Sequence, residues 1–342
     1  MSDLLDLYLS IVRWFLDTVL TVLGHMGLGG GYLHDLVSWL AAEAELYLAS
    51  VLAAVVLLLW VVPMVVLASW IDRRVRARAQ GRAGPRHVGP YGLLQCLADW
   101  LKLVLRRREG MPSAVPAGVS GSMVLAALAL TPWGPWARLA DPEWGLLAVT
   151  TLLALSPLPM ALVAPRGRRH GELAETAGSG VVLMLAVGSM MLVAGSARTG
   201  ELVDLQGRSA WGFVLSPLGF LLLLVVMTWD SDRFARLRRA GTAAETWPGG
   251  HRALGMYAVA SRYMALAILG TVLFLGGWSG PLQDGVWWTL LKAHLLLAFT
   301  SMVAGALPAG RPETRARNVR TIWLPLAAAN LVMVAAVLEV MA

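Results

Sequence analysis

Many of the side chains that can do chemistry lie in one stretch of the chain. Residues 72–109 read DRRVRARAQGRAGPRHVGPYGLLQCLADWLKLVLRRRE, a basic segment that also carries acids, amides and a glycine-proline turn. Basic segments beside a membrane pair with acidic lipid headgroups, so physics alone favours a lipid anchor. That interpretation leaves unexplained why so many special residues share one segment. The candidate site residues here are Asp72, Arg73, Arg74, Gln80, Arg82, Gln95, Asp99 and Lys102.

The second half of this segment has the periodicity of an amphipathic helix, predicted near residues 91–108. Apolar residues recur at helical spacing on one face, and polar residues occupy another. Gly89, Pro90 and Gly92 break the chain just before it. Such a helix is expected to lie flat in the headgroup layer. The apolar face comprises Leu94, Leu97, Leu101, Val104 and Leu105, and the polar face Gln95, Asp99, Lys102 and Arg106.

The elements that must position these residues are membrane-spanning helices. Only 14% of the 342 residues are charged and 57% are hydrophobic, whereas soluble domains carry about 25% charged residues. The long apolar runs do not alternate, which favours helices over a barrel. One cysteine excludes a disulfide framework and any multi-cysteine metal centre. The predicted spans are Leu46–Trp70, Gly118–Trp136, Trp144–Ala164, Thr176–Ala197, Trp211–Trp229, Tyr263–Trp278 (starting earlier, near Leu254), Val286–Leu307 and Thr321–Glu339.

The distribution of basic residues orients this all-α, eight-helix membrane domain, residues 46–342. Loops on one side hold 22 Lys and Arg residues, and the intervening loops hold 3. The basic side is therefore predicted to be cytoplasmic and the C-terminus to lie on the far side. Residues 1–45 are predicted to be a peripheral or interfacial segment. Within them, Leu4–Leu23 is apolar but carries three charges, so a ninth span is the alternative.

Ionisable residues inside apolar spans are costly and are functional candidates by default. Lys292 lies in the seventh span with His294 close by, and His294 alone is more often a packed polar residue. Arg262 is expected to snorkel to the nearby interface, and Glu175 likewise because it lies near a span end. No metal site, phosphate loop, dinucleotide fingerprint or nucleic-acid motif is predicted.

The basic segment resembles the membrane subunit of respiratory complex I that is called the H subunit in bacteria and subunit 1 in mitochondria. The similarity runs without a gap over some thirty positions, from Asp72-Arg73-Arg74 through the Val-Gly-Pro and Gly-Leu-Leu-Gln strings to Asp99 and Lys102. It continues in the Leu-Phe-Leu-Gly-Gly-Trp string ending at Trp278 and in Lys292. The chain is identified as a divergent member of that family.

The resemblance implies a subunit of a proton-translocating NADH-quinone oxidoreductase, in the inner membrane, with no complete active site of its own. It would form the quinone access tunnel and the junction of the peripheral and membrane arms. Quinone would be a substrate, while NADH, flavin and iron–sulfur clusters would belong to partner subunits. Arg73, Arg74, Gln80 and Arg82 would line the tunnel or dock the other arm. Asp99 and Lys102 would form a charge pair beside it, with a solvated surface pair as the alternative.

Departures from the family concern acidic residues. The family's loop after the fifth span is rich in glutamate, but residues 233–252 here contain one acid, Glu245. Residues 178–197 contain none, although the family carries a buried glutamate in this span. Asp230, Asp232 and Arg233 remain as remnants of a family string and, with Lys292, are the candidate proton path. Standard coupling is therefore expected to be weakened or absent.

Three alternatives stay open at this level. The first is the equivalent subunit of a membrane-bound hydrogenase or formate-oxidising complex, which the full Gly-Pro-Arg-His-Val-Gly-Pro-Tyr-Gly-Leu-Leu-Gln string disfavours. The second is a structural paralogue that has lost proton coupling. The third is an independent transporter, for which no internal repeat or pair of broken helices is visible. The expected partners are other redox-complex subunits, quinone and lipid, and no nucleic acid.

Overall fold

The computed structural model describes residues 59–105, 115–135, 142–239, 249–281, 283–308 and 310–341. The chain divides into two compact units, Met1–Val62 and Pro63–Ala342. Only residues 59–62 of the first unit are described, and they are helical. The predicted peripheral segment 1–45 lies outside the described residues, so its status stays a prediction.

The described part of the second unit is built from helices and loops, without a strand. The helices, numbered in chain order, are α1 (63–79), α2 (Gln95–Leu105), α3 (Val115–Leu130), α4 (Gly145–Leu155), α5 (Leu158–Leu162), α6 (Arg166–Ala194), α7 (Thr199–Arg208), α8 (Gly212–Leu215), α9 (Pro217–Arg239), α10 (Gly249–Phe274), α11 (Val286–Ala306), α12 (Pro312–Asn318) and α13 (Leu324–Met341). A 3₁₀ turn, Pro90–Gly92, precedes α2, and a π-helical turn, Val319–Trp323, joins α12 to α13. The all-α prediction is confirmed.

Five helical segments are long and apolar enough to cross a membrane. They are Gly145–Leu162, Arg166–Ala194, Arg252–Phe274, Val286–Ala306 and Pro312–Val340. The shorter apolar helix α3 lies at the predicted second span, and residues 59–70 of the predicted first span are helical. Helix α9 falls at the predicted fifth span but brings charged residues into the bundle. The number of eight spans therefore stays a prediction.

Helix α10 occupies the centre of the bundle. In its most apolar stretch 94% of the residues are buried, and it packs against α2, α3, α9 and α11. Helix α6 is the second organising element and packs against α4, α9, α12 and α13. The predicted earlier start of the sixth span is confirmed, because α10 begins before Leu254.

Several stretches predicted to be loops are helical instead. Helix α6 begins at Arg166, ten residues before the predicted span, and α9 runs on to Arg239. The stretch predicted as the last cytoplasmic loop contains α12. In each case charged side chains continue the helix because they find buried partners of opposite charge on neighbouring helices. This extension brings the charged residues into the protein interior.

Candidate functional site

Two polar features lie at the end of the bundle that carries the basic segment. One is a cavity of about 650 Å³ beside α2, and the other is a network of buried ion pairs that contributes two side chains to the cavity wall. We call the second feature the buried charge network. It comprises Asp72, Arg76, Glu175, Asp230, Asp232, Arg233, Arg236, Arg238, Arg262 and Arg315.

The network begins on α1, where Asp72 and Arg76 lie one turn apart. Asp72 is fully buried and accepts hydrogen bonds from the hydroxyls of Ser231 (2.5 Å) and Ser301 (3.0 Å). The guanidinium of Arg238 donates to its other oxygen at 3.2 Å. Burial lowers the pKa of Arg238 to about 10, and the neighbouring Asp72 carboxylate opposes that shift. Arg238 therefore remains charged at neutral pH and keeps the Asp72 carboxylate paired.

Arg76 links α1 to α9 and α11. Its Nη1 donates to Asp232 Oδ1 at 2.6 Å and to the backbone carbonyl of Ala304 at 3.1 Å, and its Nη2 donates to the Ser231 hydroxyl. The close approach of α1 and α11 depends on Gly305. A Cβ there would lie 3.2 Å from the Cα of Arg76. A larger residue would push α1 away from the network.

Glu175 is the point where three helices meet. Its side chain is fully buried on α6. Arg236 of α9 donates to both carboxylate oxygens at 3.3 and 3.2 Å, and Arg315 of α12 donates at 3.3 Å. Arg233 forms an ion pair with it at 3.6 Å. The expectation that Glu175 snorkels to the interface was wrong, because α6 begins well before it and three arginines neutralise it in the interior.

Asp230 closes the far end of the network. Its carboxylate accepts a hydrogen bond from Arg233 Nη1 at 2.8 Å and is paired with Arg262 of α10. Arg262 also donates its Nε hydrogen to the carbonyl of Leu153 at 2.8 Å. The expectation that Arg262 snorkels was also wrong, since only 2% of it is exposed. Its charge is paired inside the bundle with the carboxylate of Asp230.

Every carboxylate of the network faces at least two guanidinium groups. Removing one partner of a buried pair leaves an uncompensated charge, which costs about 3–5 kcal/mol. Protonating Asp72 or Asp230 would leave Arg238 or Arg262 without a carboxylate among the described residues, at a similar cost. The network is therefore suited to hold charge in place and to lock α1, α6, α9, α10 and α12 together.

The cavity lies between the loop after α1, helix α2 and the facing ends of α9 and α10. Of the eight residues predicted in the basic segment, six line it: Arg73, Gln80, Arg82, Gln95, Asp99 and Lys102. Arg76 and Arg238 of the buried charge network also form part of its wall. The cavity and the network thus share two side chains.

Hydrogen bonds of the lining residues connect the elements that form the cavity wall. Arg73 Nη1 donates to Asp99 Oδ2 at 2.5 Å, which ties α1 to α2. Gln80 donates to the carbonyl of Gly305 at 3.1 Å and accepts a hydrogen bond from Arg82. The predicted Asp99–Lys102 pair does not form among the residues described, because Arg73 takes the carboxylate. Lys102 is left exposed at the cavity rim.

The other two predicted residues, Asp72 and Arg74, lie outside the cavity lining and hold neighbouring elements in place. Asp72 lies in the buried charge network. Arg74 lies between the rings of Trp70 and Tyr91, with its guanidinium 5.5 Å from each ring centre, and donates to the Tyr91 carbonyl at 3.0 Å. Tyr91 has a positive φ of 52°, which is rare for a residue with a side chain. Arg74 thus clamps the turn that leads into α2.

The structure separates Lys292 from the other candidate proton-path residues. Its ammonium donates to the carbonyls of Leu275 (2.7 Å), Gly277 (3.1 Å) and Ser279 (2.7 Å), beyond the C-terminal end of α10. On the same helix as Lys292, Ser301 contacts Asp72 of the buried charge network. Ser301 lies nine residues after Lys292, which is about 13 Å along the helix axis. Asp230, Asp232 and Arg233 instead lie together in the buried charge network. No group of His, Cys, Asp and Glu suited to a metal ion occurs among the described residues.

Sequence reasoning missed Arg76, Arg315, Arg236 and Arg238 as members of this site. A signal for the first was present, because Asp72 and Arg76 are four residues apart and so share a helix face. Arg315, however, meets Glu175 across 140 positions of sequence. No local pattern reveals such a pairing.

Helix α2, Gln95–Leu105, lies within the segment near 91–108 that was predicted to be an amphipathic helix, and it begins four residues later because the 3₁₀ turn Pro90–Gly92 precedes it. Leu101, Val104 and Leu105 are exposed along its outer face, and Leu94 just before it is exposed as well. Trp100 is buried on the inner side and meets the ring of Tyr257 of α10 edge-on at 6.0 Å. The helix thus presents an apolar face away from the bundle, as expected for a helix at a membrane interface.

Comparison with known proteins agrees with this layout. A family model described as NADH dehydrogenase matches residues 52–335. The chain is 29% identical to the second H subunit of the NADH-quinone oxidoreductase of Cereibacter sphaeroides, over 83% of this chain and 95% of that protein. It is 28% identical to the H subunit of Dehalococcoides mccartyi (82% and 84%) and 27% identical to that of Thermomicrobium roseum (83% and 94%). The chain belongs to the NADH dehydrogenase family.

Proposed function

We propose that the chain is the membrane subunit of a proton-translocating NADH-quinone oxidoreductase of the complex I type. In this role it forms the quinone access path and the junction between the peripheral and membrane arms. The observation that carries the proposal is the cavity beside α2, which gathers Gln80, Gln95 and Asp99 from the family-like segment. The relatives, which are H subunits of NADH-quinone oxidoreductases, support the assembly.

The geometry suits a ligand with an apolar tail and a polar head. Helix α2 offers exposed leucines on its outer face, and the cavity behind it is lined by amides and charged groups. Gln95 Oε1 has no hydrogen-bond partner among the described residues, so it is available to a ligand. Polar groups placed at the end of an apolar slot fix the orientation of such a ligand. The catalytic redox groups would lie on partner subunits.

The proposed setting is an inner membrane, with eight spans and the basic loops in the cytoplasm. Affinity purification of the tagged chain from native membranes, followed by mass spectrometry, tests the assembly. Recovery of NADH-oxidising, quinone-proximal and antiporter-like subunits is expected. Recovery of hydrogenase-like partners would instead favour the related hydrogenase-type complex. Recovery of no redox subunit would reject the proposal.

The site itself is tested in the assembled complex by Gln95→Leu. Loss of a polar contact to the quinone head should raise the KM for quinone, while Leu97→Met, on the same helix but outside the cavity lining, should leave it unchanged. If Gln95→Leu and Leu97→Met have the same KM for quinone, the cavity does not bind the quinone head.

A second candidate is a paralogue in which proton coupling is lost. The observation in its favour is that each buried carboxylate of the network is already paired with two or more guanidinium groups. Measuring protons moved per electron pair, in vesicles whose only H subunit is this chain, decides between the two. A normal ratio rejects the second candidate, and a ratio near zero with normal quinone reduction rejects proton translocation as part of the first.

A further inference from the structure

The walls of the cavity carry far more positive than negative charge. Six cationic side chains line it, and the lining includes a single carboxylate among the described residues, that of Asp99. Asp99 is already paired with Arg73. Arg73, Arg76 and Arg238 are paired with Asp99, Asp232 and Asp72 respectively. The positive charge that could attract an anion therefore comes from the remaining cations of the wall. The cations are Arg73, Arg76, Arg82, Lys102, Arg238 and Arg252.

The cations at the rim are the ones available to a ligand. Arg252 is engaged with the backbone carbonyls of Leu237 and Arg238 at 3.2 and 2.6 Å. By contrast, Lys102 and the neighbouring His87 are exposed and make no hydrogen bond or ion pair with the described residues. Arg82 is also exposed, and within the described part of the chain its side chain bonds only to Gln80.

The position of the rim indicates where the anion comes from. Lys102 lies on α2, whose exposed outer face carries Leu101, Val104 and Leu105. A helix with such a face lies at the boundary between headgroups and acyl chains. The rim is therefore at headgroup depth, on the side predicted to be cytoplasmic. Basic pockets between membrane helices on that side recognise the phosphates of acidic lipids.

We propose that the cavity rim binds the phosphodiester headgroup of an acidic phospholipid. Lys102 and Arg82 would donate to the phosphate oxygens, and His87 would donate from the loop between them. The lipid tails would lie along the exposed leucines of α2. The lipid would share this cavity and the exposed leucines of α2 with the proposed quinone path. Its binding does not depend on the redox assembly, so the isolated chain tests it apart from the quinone proposal.

The test uses the purified full-length chain in nanodiscs of phosphatidylcholine, with or without phosphatidylglycerol. Native mass spectrometry counts retained lipid, and the thermal unfolding midpoint reports stabilisation. A Lys or Arg near an anionic lipid contributes about 1 kcal/mol, so Lys102→Gln and Arg82→Gln should each weaken phosphatidylglycerol retention roughly fivefold. Arg168→Gln is the matched control, because Arg168 is exposed on the same predicted side but outside the cavity.

Preferential retention of phosphatidylglycerol that is lost in the two rim variants and kept in the control supports the proposal. Equal losses in all three variants would show general surface attraction and overturn it. No preference for phosphatidylglycerol would also overturn it. A further arm adds inorganic phosphate to phosphatidylcholine nanodiscs, and stabilisation there equal to that by phosphatidylglycerol would overturn the lipid assignment in favour of a free anion.

Discussion

The ion pairs of Asp230 with Arg233 and Arg262 give a specific prediction about the stability of the fold. Asp230 is 1% exposed and is paired with both Arg262 and Arg233. The two sides of this contact are not equivalent. Replacing Arg262 by methionine leaves the carboxylate with Arg233, whereas replacing Asp230 by asparagine leaves the Arg262 guanidinium with the Leu153 carbonyl and no carboxylate among the described residues. Loss of the acid should therefore cost more than loss of one arginine.

The magnitudes follow from what each variant leaves buried. Asp230→Asn leaves an unpaired guanidinium in the interior, a cost of about 3–5 kcal/mol. Arg262→Met removes one charged hydrogen-bond partner of an acid that keeps another, a cost of about 1.5–3 kcal/mol. The double variant removes both charges and should cost less than the sum of the two, since residues in contact are not additive.

The assay is unfolding of the purified chain in mixed micelles with increasing SDS, followed by the fluorescence of its 15 tryptophans. Glu143→Gln is the control, because it breaks an ion pair with Arg198 in which the glutamate side chain is 82% exposed. That change should cost only about 0–1 kcal/mol. If Arg262→Met costs as much as Asp230→Asn, or if the double variant is additive, the assignment of the network as a set of mutually dependent buried charges is refuted.

Three further predictions concern single sites. Cys96 is fully buried and burial raises the pKa of its thiol, with Arg73 opposing, so maleimide should react with it only as fast as the fold opens and at once in the unfolded chain. Gly92→Ala should lower the free energy of unfolding by more than about 2 kcal/mol, because φ is +76° and a Cβ would lie 2.5 Å from the Pro85 carbonyl oxygen. Gly81→Ala should lower it by about 1 kcal/mol, because φ is +66° but a Cβ there meets open space. Equal losses for the two variants in SDS unfolding would contradict this. Lys292→Met should lower stability by about 2 kcal/mol, since its ammonium donates to three carbonyls, while Lys102→Met should leave it unchanged in the same assay.

Features that depend on local pattern could be predicted well from the sequence. Apolar runs long enough to span a membrane are visible within about twenty residues, and five such segments are found where they were expected. The amphipathic helix was predicted from its spacing near residues 91–108, and α2 occupies Gln95–Leu105 of that stretch. The predicted cavity-lining residues came from one segment because α1, its loop and α2 fold back on one another.

The burial of charge could not be predicted in the same way. Glu175 and Arg262 look like residues near span ends, and the free energy of burying them depends on partners far along the chain. Asp72 meets Ser301 across 229 positions, and Asp232 meets Arg315 across 83. Besides the spacing of Asp72 and Arg76, the local signal was the run Asp230–Arg233, four polar residues in succession. A helix that is polar on all sides needs partners on several neighbours.

These pairings change how the missing family acids bear on function. The resemblance implies a buried glutamate in the fourth span, and residues 178–197 contain no acid. Glu175 nevertheless supplies a fully buried carboxylate just before that stretch. Arg76 and Arg238 belong both to the cavity wall and to the network. A negative charge entering the cavity would therefore compete with Asp72 and Asp232 for these two guanidiniums. Because every acid in the network has more than one arginine partner, such competition would redistribute ion pairs along α9 without requiring any carboxylate to take up a proton.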